Sequence, residues 1–234
     1  MPDIRAITLD LDDTLWPVAP VIHRAERELW SWLDANYPAI GERFSREQVA
    51  ALRKQVVREQ WHMLHDFRFL RKAVLSRMAA EAGYSSDLVD DAFAVFDRAR
   101  NQVELFPDVE LQLTGLAKRC PIVALTNGNA NLQTIGLRHL FHDVVTAADV
   151  GVAKPAPSIF SAAVCRAGVA AAEVLHVGDD PEVDVAGAAR AGLRTAWMNR
   201  DSVAWPKHLP PPDTTVADVA GINRYLDAMS ASNP

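Results

Sequence analysis

The sequence predicts an α/β protein: a Rossmann-like parallel sheet core interrupted by an all-helical insert. Three observations predict it. From Pro107 onward, short apolar runs alternate with helical stretches, the pattern of a parallel sheet covered on both faces. A further apolar run, Ile4 to Leu9, stands alone near the N-terminus and ends in acidic residues. Between them, from about residue 18 to 101, the chain is rich in Ala, Leu, Arg and Glu and has no strand-like run.

Ile4 to Leu9 reads as a buried strand whose carboxyl end is Asp10. The texture changes after Trp16-Pro17. In the insert, Ser45 followed by Gln48 suits a capping box, and Ser86 with Asp87 suits the start of a helix running to about Asn101. Breaks at Asn36-Tyr37-Pro38, Gly41 and Gly83 divide the insert into about four helices. Beyond Pro107 the expected strands are Pro121–Thr126, Val144–Thr146, Val174–Gly178, Arg194–Met198 and a weaker Thr214–Val216. Helices are expected near 108–118, 130–139, 157–168 and 182–191, with one more at the end. The sheet core is thus 1–16 with 103–234, and the helical insert is 17–102. The proline-rich run Pro206 to Pro212 reads as a spacer.

The 234 residues are 49% hydrophobic and 23% charged, an ordinary globular balance. A net charge of −6 with no dense basic run argues against nucleic acid as a partner. No segment offers the roughly 20 apolar residues of a membrane span. Met1-Pro2-Asp3 lacks the basic opening of a secretory leader, so a cytoplasmic protein is expected. Cys120 and Cys165 have no metal-ligand spacing and read as buried free thiols in a reducing compartment.

Acidic residues recur at the ends of the expected strands. Asp10-Leu11-Asp12-Asp13 follows the first, Thr126-Asn127-Gly128-Asn129 the second, and Asp179-Asp180 follows Val174–Gly178, with Asp184 one turn later. In a parallel sheet these ends share one edge, where ligands bind. Carboxylates gathered there raise one another's pKa values, and a hard divalent cation with oxygen ligands relieves the repulsion. Lys154 adds a positive charge. In an extended segment Asp10 and Asp12 point the same way, so one can attack while the other passes a proton. Taken singly, Asp12-Asp13 is a turn, Thr126 and Asn127 are a helix cap that also favours an anion, and Lys154 before Pro155 is a surface residue. Their recurrence at several strand ends favours the site.

With these residues in hand, the sequence resembles the haloacid dehalogenase-like hydrolases. The resemblance rests on Asp10-Leu-Asp-Asp-Thr-Leu15, Leu125-Thr-Asn-Gly128, Lys154-Pro155 and Gly178-Asp-Asp-Pro-Glu-Val-Asp184, in that order. It covers about residues 3–16 and 105–230, and the insert sits where the family carries a helical cap. The resemblance implies that Asp10 forms an aspartyl-phosphate and that Asp12 acts as acid, then base. It implies that Thr126 and Asn127 hold the phosphoryl group and that Lys154 neutralises it. Magnesium is implied on Asp10, the Leu11 carbonyl and Asp179. Asp180 and Asp184 hold its waters or orient Lys154, and Asp12 is counted with Asp10, Asp179, Asp180 and Asp184 among the residues of the metal site. Dehalogenating members lack an acid at the position of Asp12, so its presence favours phosphoryl chemistry. Manganese or cobalt in place of magnesium stays open.

Asp10–Trp16, Pro20–Leu29, Leu125–Ala130 and Glu173–Val185 are also similar to bacterial phosphatases acting on FMN or ribitylaminouracil phosphate. The resemblance implies a small phosphorylated metabolite as substrate. Cap residues His23, Arg24, Trp61, His65, Arg68 and Arg71 are candidates for its recognition, with Arg24 and Arg68 foremost. By residue type alone, Trp61 belongs to a helix core and each Arg to a solvated or ion-paired surface. A phosphotransferase or sugar-phosphate mutase would share every core motif. A receiver-like domain or an inactive binding protein fits less well, given the long insert and the complete charged set.

Overall fold

The computed structural model describes residues 3–231. The chain divides into two compact units: Met1–Pro17 with Glu104–Gly128 and Leu132–Pro234, and Val18–Val103 with Asn129–Asn131.

The first unit is a six-stranded, wholly parallel sheet in the order β3-β2-β1-β4-β5-β6. Its strands are β1 (Ala6–Leu9), β2 (Ile122–Thr126), β3 (Asp143–Thr146), β4 (Val174–Gly178), β5 (Arg194–Met198) and β6 (Thr214–Val216). β1, β2 and β4 are buried along their whole length, which is why each reads as a continuous apolar run. Strand order reverses between β1 and β4, so a crevice opens at their carboxyl ends. Pairing of Leu9 with Val177 and of Leu9 with Ala124 puts those three strand ends level.

Beyond the sheet lie the helices of this unit. The helices of the second unit precede those of the first along the chain and are α1 (Val18–Asn36), α2 (Pro38–Arg43), α3 (Arg46–Glu59), α4 (Phe67–Glu81) and α5 (Leu88–Arg100). The sheet unit then adds α6 (Val109–Ala117), α7 (Leu132–Ile135), α8 (Ala147–Val150), α9 (Pro157–Ala167), α10 (Gly187–Arg190) and α11 (Val219–Ala231). α9 packs on β1, β2 and β3 through Ile159, Phe160 and Ala163, while α11 packs on α6 and β6.

The helical unit has its own core, with Leu29 and Leu33 of α1 meeting Val74 and Met78 of α4 and Phe93 and Phe96 of α5. The capping box expected at Ser45 forms: Ser45 Oγ accepts from Gln48 N–H and Gln48 Oε1 accepts from Ser45 N–H. Four corrections arise here. The insert has five helices rather than about four, because Pro38 starts a short extra one that runs through Gly41. Trp61 is 71% exposed: α3 stops at Glu59, and Trp61 lies in a single 3-10 turn rather than in a helix core. Cys120 is half-buried and Cys165 exposed, so neither is a buried thiol. The helix expected over 130–139 shrinks to one turn, since Gly136 takes a left-handed φ of 92° and ends it.

Asp108 ties the sheet unit together. Its carboxylate accepts from Arg200 Nη1 at 2.9 Å and Nη2 at 3.2 Å, and from Val219 N–H at the start of α11 at 2.8 Å. Partial burial pushes this carboxyl up, but Arg200 and the Val219 N–H outweigh it and hold it below the usual range. A folded-state pKa below the unfolded one adds stability above the unfolded value, and that stability is lost as pH falls through the folded value. Asp108→Asn is therefore expected to cost about 2 kcal/mol at neutral pH. Thermal unfolding across a pH series should show the gap between the two proteins closing in acid.

Candidate active site

The chain turns sharply after β1. Asp13 adopts a left-handed φ of 57°, a conformation Asp tolerates, and its N–H donates to Trp16 O. Arg200 Nε donates to Thr14 O at 3.0 Å and holds the turn from outside. Asp10 thereby sits at the strand end, 6% exposed, with its N–H on Val177 O.

Lys154 reaches it from another loop. Its Nζ donates to Asp10 Oδ1 at 2.5 Å and to Asp184 Oδ1 at 2.6 Å, and all three side chains are buried. Burial works against the Lys154 ammonium, but the two carboxylates win and hold its pKa above the usual range. Asp184 is likewise opposed by burial and held below the usual carboxylate range by Lys154 and His176. Two carboxylates thus compete for one ammonium. Asp10 is the one left short: burial drives its pKa well up against the pull of Lys154, and Asp184 and Asp179 add to the rise. Burial, then Asp184 and Asp13, push Asp179 up to about 7.

Asp10, Asp179 and Asp184 each bring an oxygen within 4.8 Å of the others. An all-oxygen set of three carboxylates, two of them raised by mutual repulsion and burial, fits a hard divalent cation. Asp12 lies outside this cluster, and its Oδ1 accepts from Trp16 Nε1 at 2.9 Å. Asp180 is outside as well. Its side chain accepts from the N–H groups of Glu182 and Val183, and its N–H donates to Asp184 Oδ2 at 3.1 Å. The segment Pro181–Ala186 is a π turn, in which Asp180 O receives both Asp184 N–H and Val185 N–H. The sequence predicted an ordinary helix there. Such turns are common at functional sites, and this one aims Asp184 at Lys154.

Thr126, 1% exposed at the end of β2, accepts from Gly128 N–H and keeps its own hydroxyl proton to donate. Asn127 does something the sequence did not suggest: its side chain clamps the Lys154 backbone, accepting from Lys154 N–H at 2.7 Å and donating to Lys154 O at 3.0 Å.

Against models of known families, residues 4–192 match the haloacid dehalogenase-like hydrolases. The chain belongs to that family. The phosphatase YigB of Escherichia coli K12, which acts on 5-amino-6-(5-phospho-D-ribitylamino)uracil, is 34% identical over 89% of this chain and 90% of its own. A glyceraldehyde 3-phosphate phosphatase of Methanopyrus kandleri is 31% identical over 84% of each chain. The crystal structure of a 2-haloacid dehalogenase from Pseudomonas syringae superimposes with a TM-score of 0.92 at 37% identity, over 97% of this chain and 99% of that one.

Two residues of this haloacid dehalogenase-like site were not singled out by sequence reasoning. Thr14 Oγ1 lies 3.4 Å from both Asp10 Oδ2 and Asp179 Oδ1. His176 bridges Thr8 and Asp184, with Nδ1 2.9 Å from Thr8 Oγ1 and Nε2 3.3 Å from Asp184 Oδ1. Burial pushes its pKa below the usual value against the pull of Asp184. One proton on Nε2 serves both contacts, donating to Asp184 while Nδ1 accepts from Thr8. Trp197 Nε1 donates to Asp179 O at 2.7 Å and anchors that strand end.

The cap candidates are engaged within the helical unit. Arg24 donates to Gln102 O and to Ala99 O. Arg68 stands over the Phe93 ring, and Arg71 pairs with Glu26 while lying 3.5 Å from the centre of the Phe96 ring. His23 is exposed and His65 half-buried.

Gly178 closes the strand against Asp184, and a Cβ there would collide with the Asp184 carboxylate, which Lys154, His176 and Asp180 N–H hold in place. Gly178→Ala is expected to displace that carboxylate and cut turnover about a hundredfold, the cost of an ångström-scale misplacement. Steady-state kinetics beside a thermal melt checks this: the loss in turnover should exceed any loss of folded protein.

Proposed function

We propose that this protein is a magnesium-dependent phosphatase of small phosphorylated metabolites, with Asp10 as nucleophile. The observation that carries the reading is the Lys154 ammonium shared by Asp10 and Asp184, with Asp179 alongside, at the reversal point of the sheet. An Asp10 oxygen attacks phosphorus and forms the acyl phosphate as the P–O bond to the leaving group breaks. Asp12, oriented by Trp16 Nε1, gives its proton to the departing oxygen. Asp12 then takes a proton from water as that water attacks phosphorus, releasing phosphate and restoring Asp10. Lys154 and the Thr126 hydroxyl neutralise and orient the phosphoryl oxygens, and Asn127 fixes where Lys154 stands. Asp10, Asp179 and the Leu11 carbonyl would hold a divalent cation, with Asp184 and Asp180 behind them, and such a cation supplies further charge neutralisation at the phosphoryl group.

The likeness to YigB over nearly the whole chain supports a ribitylaminouracil phosphate as substrate, and FMN is the second candidate from the motif resemblance alone. The 37% identity to a haloacid dehalogenase motivates one alternative, displacement of halide from a 2-haloacid by the same Asp10. Asp12 argues against it, since that displacement needs no acid for the leaving group.

The test is phosphate release from a panel of ribitylaminopyrimidine phosphate, FMN, sugar phosphates and nucleotides, run with magnesium and with EDTA. Turnover is expected with magnesium and a fall of about a hundredfold or more in EDTA. Chloride release from 2-chloropropionate without phosphate release from any member of the panel would overturn the proposal. Transfer to an acceptor in place of free phosphate would reassign the protein as a phosphotransferase or mutase.

A further inference from the structure

Two adjoining recesses lie inside the helical unit. One is a cavity of about 190 Å³ between α1, α3 and α4, walled by Leu29, Val49, Val56, Leu70, Val74 and Met78. A close-packed bundle core fills such a space with side chains. Here it stays open toward Val57 and Phe67, which are 38% and 51% exposed. The second is a groove of about 460 Å³ lined by His23, Arg27, Arg46 and Arg53. Glu26, Trp30, Val49 and Arg53 line both, so the recesses share a wall.

Charge in this region is lopsided. Glu26 is the one acid among the described residues lining either recess. It is already matched, with Arg53 Nη2 at 2.8 Å and Arg71 Nη1 at 2.7 Å from its Oε1. Arg27 and Arg46 are exposed and add two cations with no lining acid to answer them. The Arg46 guanidinium lies 4.7 Å from the centre of the Trp30 ring, forming a flat wall of cation and indole. An apolar hole beside a cationic groove suits a molecule with the same two halves.

We propose that the helical unit holds a binding site for an amphiphilic anion. Its aromatic or short aliphatic body fills the cavity between α1, α3 and α4, and its phosphate, sulfonate or carboxylate head lies on Arg27, Arg46 and Arg53. The guanidinium fork matches such heads in two-point contact. The site is built from residues of the helical unit alone and does not rest on the reaction assigned to Asp10.

The experiment titrates the full chain with anilinonaphthalene sulfonate, an aromatic sulfonate whose fluorescence rises on leaving water, and then displaces it with octanoate. Saturable one-site binding is expected, weakened tenfold or more both by Val57→Trp, which narrows the cavity mouth, and by Arg27→Ser with Arg46→Ser, which removes the head contacts. The arginine pair is exposed, so it remains informative if the tryptophan variant folds poorly. The thermal midpoint of the arginine variant should match that of the unchanged protein, and dye binding to Asp10→Asn should equal dye binding to the unchanged protein. Competition by a phosphorylated substrate would mean that the site takes the substrate's own body, and absence of competition would mean a separate effector; either retains the site. No saturable binding, equal binding in the arginine variant, or displacement by inorganic phosphate alone would overturn it.

Discussion

Asp10→Asn is expected to lower phosphate release by about four orders of magnitude or more while leaving the fold intact. An amide of the same shape cannot attack phosphorus, and loss of a nucleophile costs on this scale. The shape matters for the second half of the expectation. Asp10 is buried, and its carboxyl is raised well above the usual range mainly by that burial. A folded pKa above the unfolded one means stability that is present below the unfolded value and lost as pH rises through the folded value. Without metal, ionising the buried Asp10 carboxyl as pH rises therefore works against folding, and Asn removes that penalty while its oxygen still accepts from Lys154. Thermal melts in EDTA should show the variant equal to or above the unchanged protein, with the difference growing from acid to neutral pH. Turnover that survives the substitution would assign the nucleophile elsewhere.

How much of this was legible in the sequence differs from element to element. The strands were plain because β1, β2 and β4 are buried on both faces, so their apolar runs are unbroken. Asp10 and Asp179 were legible because an acid straight after such a run has one place to be, whereas Lys154 and Asp184, off the strand ends, were legible through the motifs that carry the resemblance. Thr14 and His176 were not. His176 reads as one more core residue of β4, and only the register that pairs it with Thr8 of β1 reveals the chain from Thr8 through His176 to Asp184. Asn127 looked like a phosphate ligand or a cap, since nothing local says that Lys154 would lie against its side chain. The helix over 130–139 and the core position of Trp61 failed for a shared reason. Apolar periodicity carries across a glycine or a 3-10 turn on paper, while the backbone stops at Gly136 and at Glu59.

Lys154→Ala is the substitution expected to damage both activity and stability. The ammonium separates two buried carboxylates, 2.5 Å from one and 2.6 Å from the other, and all three side chains are at most 9% exposed. Its removal leaves Asp10 and Asp184 facing each other without a counter-charge, and breaking a buried pair in this way costs about 3–5 kcal/mol. Asp184 makes the pH dependence specific. Lys154 and His176 hold it below the ordinary carboxylate range, so its contribution is present above the unfolded value and disappears only as pH falls through the depressed folded value. In the variant the two carboxyls instead share a proton, and their repulsion fades as soon as one of them takes it. The gap in unfolding free energy between the two proteins should therefore be widest at neutral pH and above, and narrow on acidification. Turnover should fall about a thousandfold, since the phosphoryl oxygens lose their fixed cation. Lys154→Arg separates the two roles: it restores charge and part of the stability, but a planar fork cannot take the place of a point charge lodged between two oxygens. A variant that melts like the unchanged protein at neutral pH would show that the Asp10–Lys154–Asp184 contact contributes little to the fold.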